Sequence, residues 1–193
     1  SVVIILLLAP LFILIAILIK LDDGGRVVYY HYRLGQGRKN FKLFKFRSMV
    51  EDADDILFSD PNFLEKLRSG SHKLVNDPRI TRVGKFIRKY SLDELPQFIN
   101  VLRGEMSIVG PRAYRPDELQ KFEAESLQTA KYIELILSVK PGITGLWQVG
   151  GRSSVSFDRR VQLEVSYAEN RSLKLDFVIM LKTPFAILRG DGL

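Results

Sequence analysis

The chain begins with its longest apolar run, "SVVIILLLAPLFILIAILI", which extends 19 residues without a charge before Lys20. At about 1.5 Å per residue, a helix of that length nearly crosses a ~30 Å hydrocarbon core. No basic n-region precedes the run and no small-residue cleavage site follows it, so a signal peptide is not expected. Pro10 stands at the midpoint and removes one backbone donor, which predicts a helix broken near Ala9-Pro10. A broken segment either crosses the bilayer or turns back within one leaflet, and the pattern alone leaves both open.

The pattern then changes period. "LDDGG" reads as a turn. "RVVYYHYRL" is rich in β-formers, "GQGRKN" is turn chemistry, and "FKLFKFRSM" alternates apolar with basic residues, which together predict a β-hairpin with a basic face. Residues 52–68 read as a polar helix or helix pair. "NDPRITRVGKFIRKYS" is a loop feeding a short basic helix, and 96–103 is a helix with proline in its first turn, stopped by Gly104. "MSIVGPRA" reads as a strand and turn, 116–139 as one longer helix, and "KPGITGLWQVGGR" as an irregular loop. Residues 157–170 are helical. Residues 173–188 are apolar and interrupted by Pro184, which suits a helix pair on a membrane surface. The expected architecture is α+β, predominantly helical with a small β-hairpin. A membrane element (1–21) precedes one catalytic-sized domain (22–193).

Composition narrows the chemistry. With 29 Lys+Arg against 22 Asp+Glu the net charge is +7, which points to an anionic partner. The absence of cysteine excludes thiol catalysis and cysteine zinc sites, and His31 and His72 lie too far apart for a metal-ligand pair.

Against that background "SLDELPQFINVL" stands out, because Asp93 and Glu94 sit side by side amid Arg79, Arg82, Lys85, Arg88, Lys89, Arg103 and Arg112. One reading is structural: Ser91-x-x-Glu94 matches a capping box. Pro96 argues against it, since a helix starting at Ser91 would place proline where a backbone bond is lost. The other reading is chemical. Basic neighbours hold carboxylates ionised, an ionised carboxylate can attack phosphorus, and carboxylates bind Mg²⁺ as hard oxygen donors. Arg88 and Arg112 suit phosphate oxygens through the guanidinium fork. Lys45 and Arg47 lie two apart on one strand face. The glycines around Gly142 would let backbone amides approach a ligand. Trp147 reads as core, base-stacking surface or interface anchor.

"FKLFKFRSM", "SLDELPQFINVLRGEMSIVGPR" and "KPGITGLWQVGGR", in this order and with matching spacing from Ala9-Pro10 to "LKTPFAILRGDG", resemble the blocks of the bacterial sugar transferase family. These are the polyprenyl-phosphate sugar-1-phosphate transferases, or monotopic phosphoglycosyl transferases. The resemblance implies transfer of a sugar-1-phosphate from a UDP-sugar to polyprenyl (undecaprenyl) phosphate with release of UMP, a first membrane step of exopolysaccharide or O-antigen assembly. It implies Asp93 as nucleophile, with Glu94 beside it and Mg²⁺ (or Mn²⁺) held by the two. Lys45, Arg88 and Arg112 would lie near the phosphates, and Arg47, Gly142, Trp147, Arg152 and Glu164 in a substrate or nucleotide loop.

It further implies a re-entrant N-terminal helix broken at Ala9-Pro10, in the bacterial inner membrane, with the catalytic domain on the cytoplasmic face. Several positions depart from the family's usual residues. Ala9 stands in place of serine at the break, Ala113 in place of proline after "GPR", Glu164 where aspartate is common, and Arg171 in place of tryptophan. Larger family members carry further membrane helices and a domain before this one, and a start at Ser1 without Met suits such a piece.

The expected partners are the UDP-sugar, the lipid phosphate and the bilayer. A homo-oligomer is left open. Nucleic acid is not expected, because the basic residues alternate with core-like positions and surround acids. A competing reading is a membrane-tethered basic module that binds anionic lipid, and a third is a phosphodiesterase using water.

Overall fold

The computed structural model describes residues 2–59, 77–124, 126–152 and 155–189. Helix α1 (Val2–Asp23) leads into an antiparallel hairpin of β1 (Val28–Leu34) and β2 (Asn40–Phe46), closed by a 3₁₀ turn at Gln36–Arg38. There follow α2 (Ala53–Ser59), α3 (Arg82–Lys89), a 3₁₀ turn at Leu92–Glu94, α4 (Gln97–Leu102) and β3 (Ser107–Val109). The chain continues through α5 (Pro116–Glu123), α6 (Leu127–Leu137), β4 (Gly142–Thr144), α7 (Leu146–Val149), α8 (Phe157–Asn170) and α9 (Leu173–Leu188). The described fold is therefore mostly helical with two small two-stranded sheets. Of the helical reading of 52–68, Ala53–Ser59 is described; residues 60–76 lie outside the described residues.

Both proline expectations need correction. Helix α1 is not divided at Ala9-Pro10, and α9 is one helix through Pro184 rather than a pair. Proline's fixed φ is itself close to helical, so one helix runs through each proline at the cost of a backbone bond and crowding of the preceding turn. In α9 the Thr183 hydroxyl donates to the Ile179 carbonyl at 2.8 Å in the turn before the proline. Residues 4–23 are long and apolar enough to cross a membrane. Ile15 and Ile19 of that helix are buried against Phe46 and Ile87, while Leu6 and Leu7 are exposed. The lower part of α1 is thus anchored to the hairpin and α3, and the upper part stands clear.

The predicted single helix over 116–139 is two. Helix α5 ends at Glu123, and Ser126 starts a new N-terminus by accepting the Thr129 amide at 3.1 Å. Serines cap α8 and α9 in the same way, Ser156 accepting from Arg159 and Ser172 from Leu175. The apolar faces of α5, α6 and α8 meet around Tyr114, Leu119, Ile133, Ile136, Leu137 and Val165.

The segment read as an irregular loop contains β4 and α7. β4 pairs in parallel with β3, with Ser107 opposite Gly142 and Val109 opposite Thr144. The glycines make this pairing feasible. A Cβ on Gly142 would lie 2.0 Å from the Gly110 nitrogen and 2.5 Å from the Thr144 oxygen. Gly142→Ala should therefore cost roughly 2–3 kcal/mol through overpacking, read as a lowered thermal midpoint of the purified protein in detergent. A midpoint equal to that of the parent would mean the two backbones separate without cost.

Candidate active site

The acidic pair lies between two helices. Helix α3 ends at Lys89 and the backbone reverses at Ser91, whose φ of +54° is in the left-handed region that a non-glycine residue rarely adopts. The next turn, Leu92–Glu94, carries both carboxylates, and Pro96 opens α4. The capping-box reading fails here. Ser91 makes no side-chain cap; its hydroxyl instead accepts from Arg152 Nη2 at 2.6 Å, and Glu94 turns to Lys45.

Lys45 comes from β2, where it stands opposite Tyr29. Its Nζ lies 2.7 Å from Glu94 Oε1 and 3.4 Å from Asp93 Oδ2, so one ammonium joins both acids. Strand β2 is held to α4, the helix that follows the dyad, by Asn100, which is fully buried. Asn100 Oδ1 accepts the Phe44 amide at 3.1 Å, and its Nδ2 donates to the Lys42 carbonyl at 2.7 Å and to Glu105 at 2.6 Å. Nothing in the sequence pattern marked Asn100, an amide in an otherwise apolar helix turn.

The two acids differ in their ionisation. Burial is the largest influence on Asp93 and, with the charge of Glu94, raises its pKa above the ordinary value despite Lys45 and Arg88. Burial also acts to raise Glu94, but the charge and bond of Lys45, with Arg112 and Arg152, outweigh it and hold the group down. The expectation that basic neighbours lower both acids therefore holds for Glu94 and is corrected for Asp93, where burial wins.

The predicted basic residues divide into two groups. Arg88, in the last turn of α3, acts on Asp93 through its charge and forms no ion pair among the described residues. Arg112 lies within the field of Glu94, with its guanidinium 5.9 Å from the Trp147 ring. Arg152, whose φ is +49°, ties Ser91 to the Ala186 carbonyl of α9. Arg47 belongs elsewhere. β2 ends at Phe46, and the buried Arg47 guanidinium is bound to Asp23 at the end of α1, with Glu51 nearby at 4.0 Å. It anchors the end of α1.

Glu164 is buried and holds the turn that presents Arg112. It accepts the Arg112 amide at 3.0 Å and the Tyr114 hydroxyl. Ala113, between them, is packed against Phe41, Leu43 and Met106. Burial raises Glu164 to about 7. Because the folded value exceeds the usual 4.5, its protonated form favours the fold; that contribution is complete below pH 4.5 and is lost as pH rises through 7. Glu164→Gln keeps one acceptor for Arg112 and one polar partner for Tyr114. The fall in thermal midpoint between pH 5 and pH 8 should accordingly be shallower in Glu164→Gln than in the parent. Parallel curves would remove Glu164 as the titrating group.

Gly142 lies in the β3–β4 pairing, where the glycines let two strands approach closely. Trp147, in α7, is half-buried and lies between the guanidiniums of Arg112 and Arg160. Pattern reading did not single out His31, Arg33 or Arg160. The available signal was spacing: Tyr29, His31 and Arg33 alternate along β1 on the face that carries Lys45.

The bacterial sugar transferase family model matches residues 1–190. Over 191 residues the chain is 44% identical to the exopolysaccharide production protein ExoY of Rhizobium meliloti, covering 97% of this chain and 81% of that protein. It is 43% identical to the undecaprenyl-phosphate galactose phosphotransferase of Salmonella typhimurium, with 100% of this chain aligned to 39% of that protein. It is 41% identical to the undecaprenyl-phosphate glucose phosphotransferase of Komagataeibacter xylinus, with 95% of this chain aligned to 33% of that protein. The chain thus spans about four fifths of the first relative and about two fifths or less of the other two. A match that runs from the first residue through the dyad to the last apolar helix makes this chain a member of the bacterial sugar transferase family.

Proposed function

We propose that this protein transfers a sugar-1-phosphate from a UDP-sugar to undecaprenyl phosphate at the bacterial inner membrane, with its catalytic face toward the cytoplasm. The observation that carries the reading is the Lys45–Asp93–Glu94 cluster, flanked by Arg88 and Arg112. The names of the relatives, phosphotransferases that act on undecaprenyl phosphate, supply the substrate class.

In the first step an Asp93 carboxylate oxygen bonds to the β-phosphorus of the donor. The bond from that phosphorus to the bridging oxygen breaks, and UMP leaves with the electron pair. In the second step an oxygen of undecaprenyl phosphate attacks the phospho-sugar on Asp93, which restores the carboxylate and forms the lipid diphosphate sugar. Lys45 holds the dyad together while Arg88 and Arg112 offset phosphate charge, the main form of assistance available to a phosphoryl transfer.

Asp93 and Glu94 would hold Mg²⁺. The fit is chemical: two carboxylates already converge on one cationic nitrogen. The described residues contain no group of three or more His, Cys, Asp or Glu side chains suited to a metal. Mg²⁺ accepts such a sparse protein share, keeping waters and substrate phosphates as its other ligands. When bound, it would neutralise pyrophosphate charge. EDTA should therefore stop turnover, with Mg²⁺ or Mn²⁺ restoring it; full activity in EDTA would leave that work to the arginines alone.

The deciding experiment is a panel of UDP-sugars mixed with the protein, with and without undecaprenyl phosphate, and monitored for UMP. Sustained UMP release that requires the lipid phosphate supports the transferase. Sustained release without it indicates a hydrolase, and no release from any sugar indicates a binding module.

A further inference from the structure

Beside the dyad lies a second concentration of positive charge, which shares only Arg112 with the phosphate-facing residues named above. Arg33, on β1, is about nine-tenths buried, and its Nε has no hydrogen-bond partner among the described residues. Its acidic partner is Glu118, at 3.5 Å. That same carboxyl lies 3.7 Å from Arg112 and accepts the Arg115 amide at 3.0 Å. One carboxylate at long range thus serves two guanidiniums. Arg115 itself is satisfied by Asp117 at 2.8 Å.

Arg112 and Arg160 repeat the pattern, each with a buried Nε that lacks a partner. Arg160 forms no ion pair among the described residues and lies 5.1 Å from the Trp147 ring and 5.3 Å from the Phe157 ring. The nearby acid Glu164 is engaged by the Arg112 amide and the Tyr114 hydroxyl. His31 Nε2 and Trp147 Nε1 are also buried without partners. Burial, followed by the charges of Arg33, Lys45, Arg115 and Arg112, holds His31 neutral, at about 3. Lys45 is occupied by Asp93 and Glu94.

A buried donor without an acceptor costs about 1–3 kcal/mol, and several around one patch call for a shared partner. A partner able to accept from three guanidinium groups at once must carry several oxygens and negative charge. We propose that Arg33, Arg112 and Arg160, with His31 and the Trp147 ring, form a phosphate-binding subsite next to the dyad. The inference rests on reading the dyad as a phosphoryl-transfer centre. It adds Arg33, Arg160 and His31 as binding residues for a second phosphate, which belongs either to the nucleotide side of the donor or to the lipid acceptor.

Trp147, the single tryptophan of the chain, reports on this subsite directly. Its fluorescence should change saturably as UDP, which has no sugar to transfer, is titrated in Mg²⁺ buffer. Undecaprenyl phosphate in detergent micelles forms the second arm, and calorimetry gives both midpoints independently of the fluorophore. Arg160→Gln, on a partly buried side chain, and Arg33→Lys, which keeps the charge but loses the fork, should each weaken one ligand about tenfold or more. The thermal midpoints should stay near that of the parent.

Weakened UDP binding assigns the subsite to the donor, and weakened lipid binding assigns it to the acceptor. Unchanged affinity for both ligands in both variants overturns the subsite and leaves the transferase reading standing. A parent protein that binds neither ligand overturns both.

Discussion

Asp93→Asn should reduce sugar-phosphate transfer by roughly a thousandfold or more, because an amide is a poor nucleophile toward phosphorus. The folded protein should be at least as stable as the parent. Asp93 is 8% exposed and adjacent to Glu94, and both burial and that neighbour oppose its charge. Asparagine keeps the shape and still offers an oxygen to Lys45, whose shorter contact, 2.7 Å to Glu94, is untouched. Intact mass after mixing with UDP-sugar alone should show a phospho-sugar adduct on the parent and none on the variant. An asparagine variant that turns over near the parental rate would exclude Asp93 as nucleophile.

Lys45→Met should reduce both activity and stability. The substitution leaves two neighbouring acids, one buried and one partly exposed, with only the more distant fields of Arg88, Arg112 and Arg152. Breaking a buried pair on one side strands the remaining charge. Because Glu94 keeps about a third of its exposure, the loss should be nearer 2–3 kcal/mol than the larger values seen for fully buried pairs. Turnover should fall by roughly a hundredfold or more, since the acids then share a proton and the nucleophile is neutralised. Adding Glu94→Gln should recover much of the stability and none of the activity. If the double variant is no more stable than Lys45→Met, the loss comes from packing rather than charge.

The hairpin was legible in the sequence because two runs of β-formers flank a run of turn residues, and α8 was legible as a helical segment over 157–170. The dyad stood out by charge alone. Other features depend on contacts that no local pattern carries. The glycines of 142–150 looked like loop chemistry, yet Gly142 serves a strand pairing with residues more than thirty positions earlier. Arg47 shares a strand reading with Lys45, but the strand ends between them and the two side chains reach opposite partners. Pro10 and Pro184 looked like breaks, yet a single helix runs through each of them. Ser91 and Glu94 matched a cap, but no local rule anticipates a lysine 49 residues away and an arginine 61 residues away taking those side chains.

Two strands alone make a marginal ribbon, yet the one that carries Lys45 cannot fray without releasing the Asn100 amide from its two partners on that strand, the Phe44 amide and the Lys42 carbonyl. Opening of the hairpin and loosening of the helix behind the dyad are therefore one event. In deuterium exchange the amides of 42–46 and 98–103 should gain label at a common rate, as a single cooperative unit. Asn100→Ala should uncouple them, with 42–46 exchanging first. Ageing or heat-stressed protein would then lose the Lys45–Asp93–Glu94 cluster in one step.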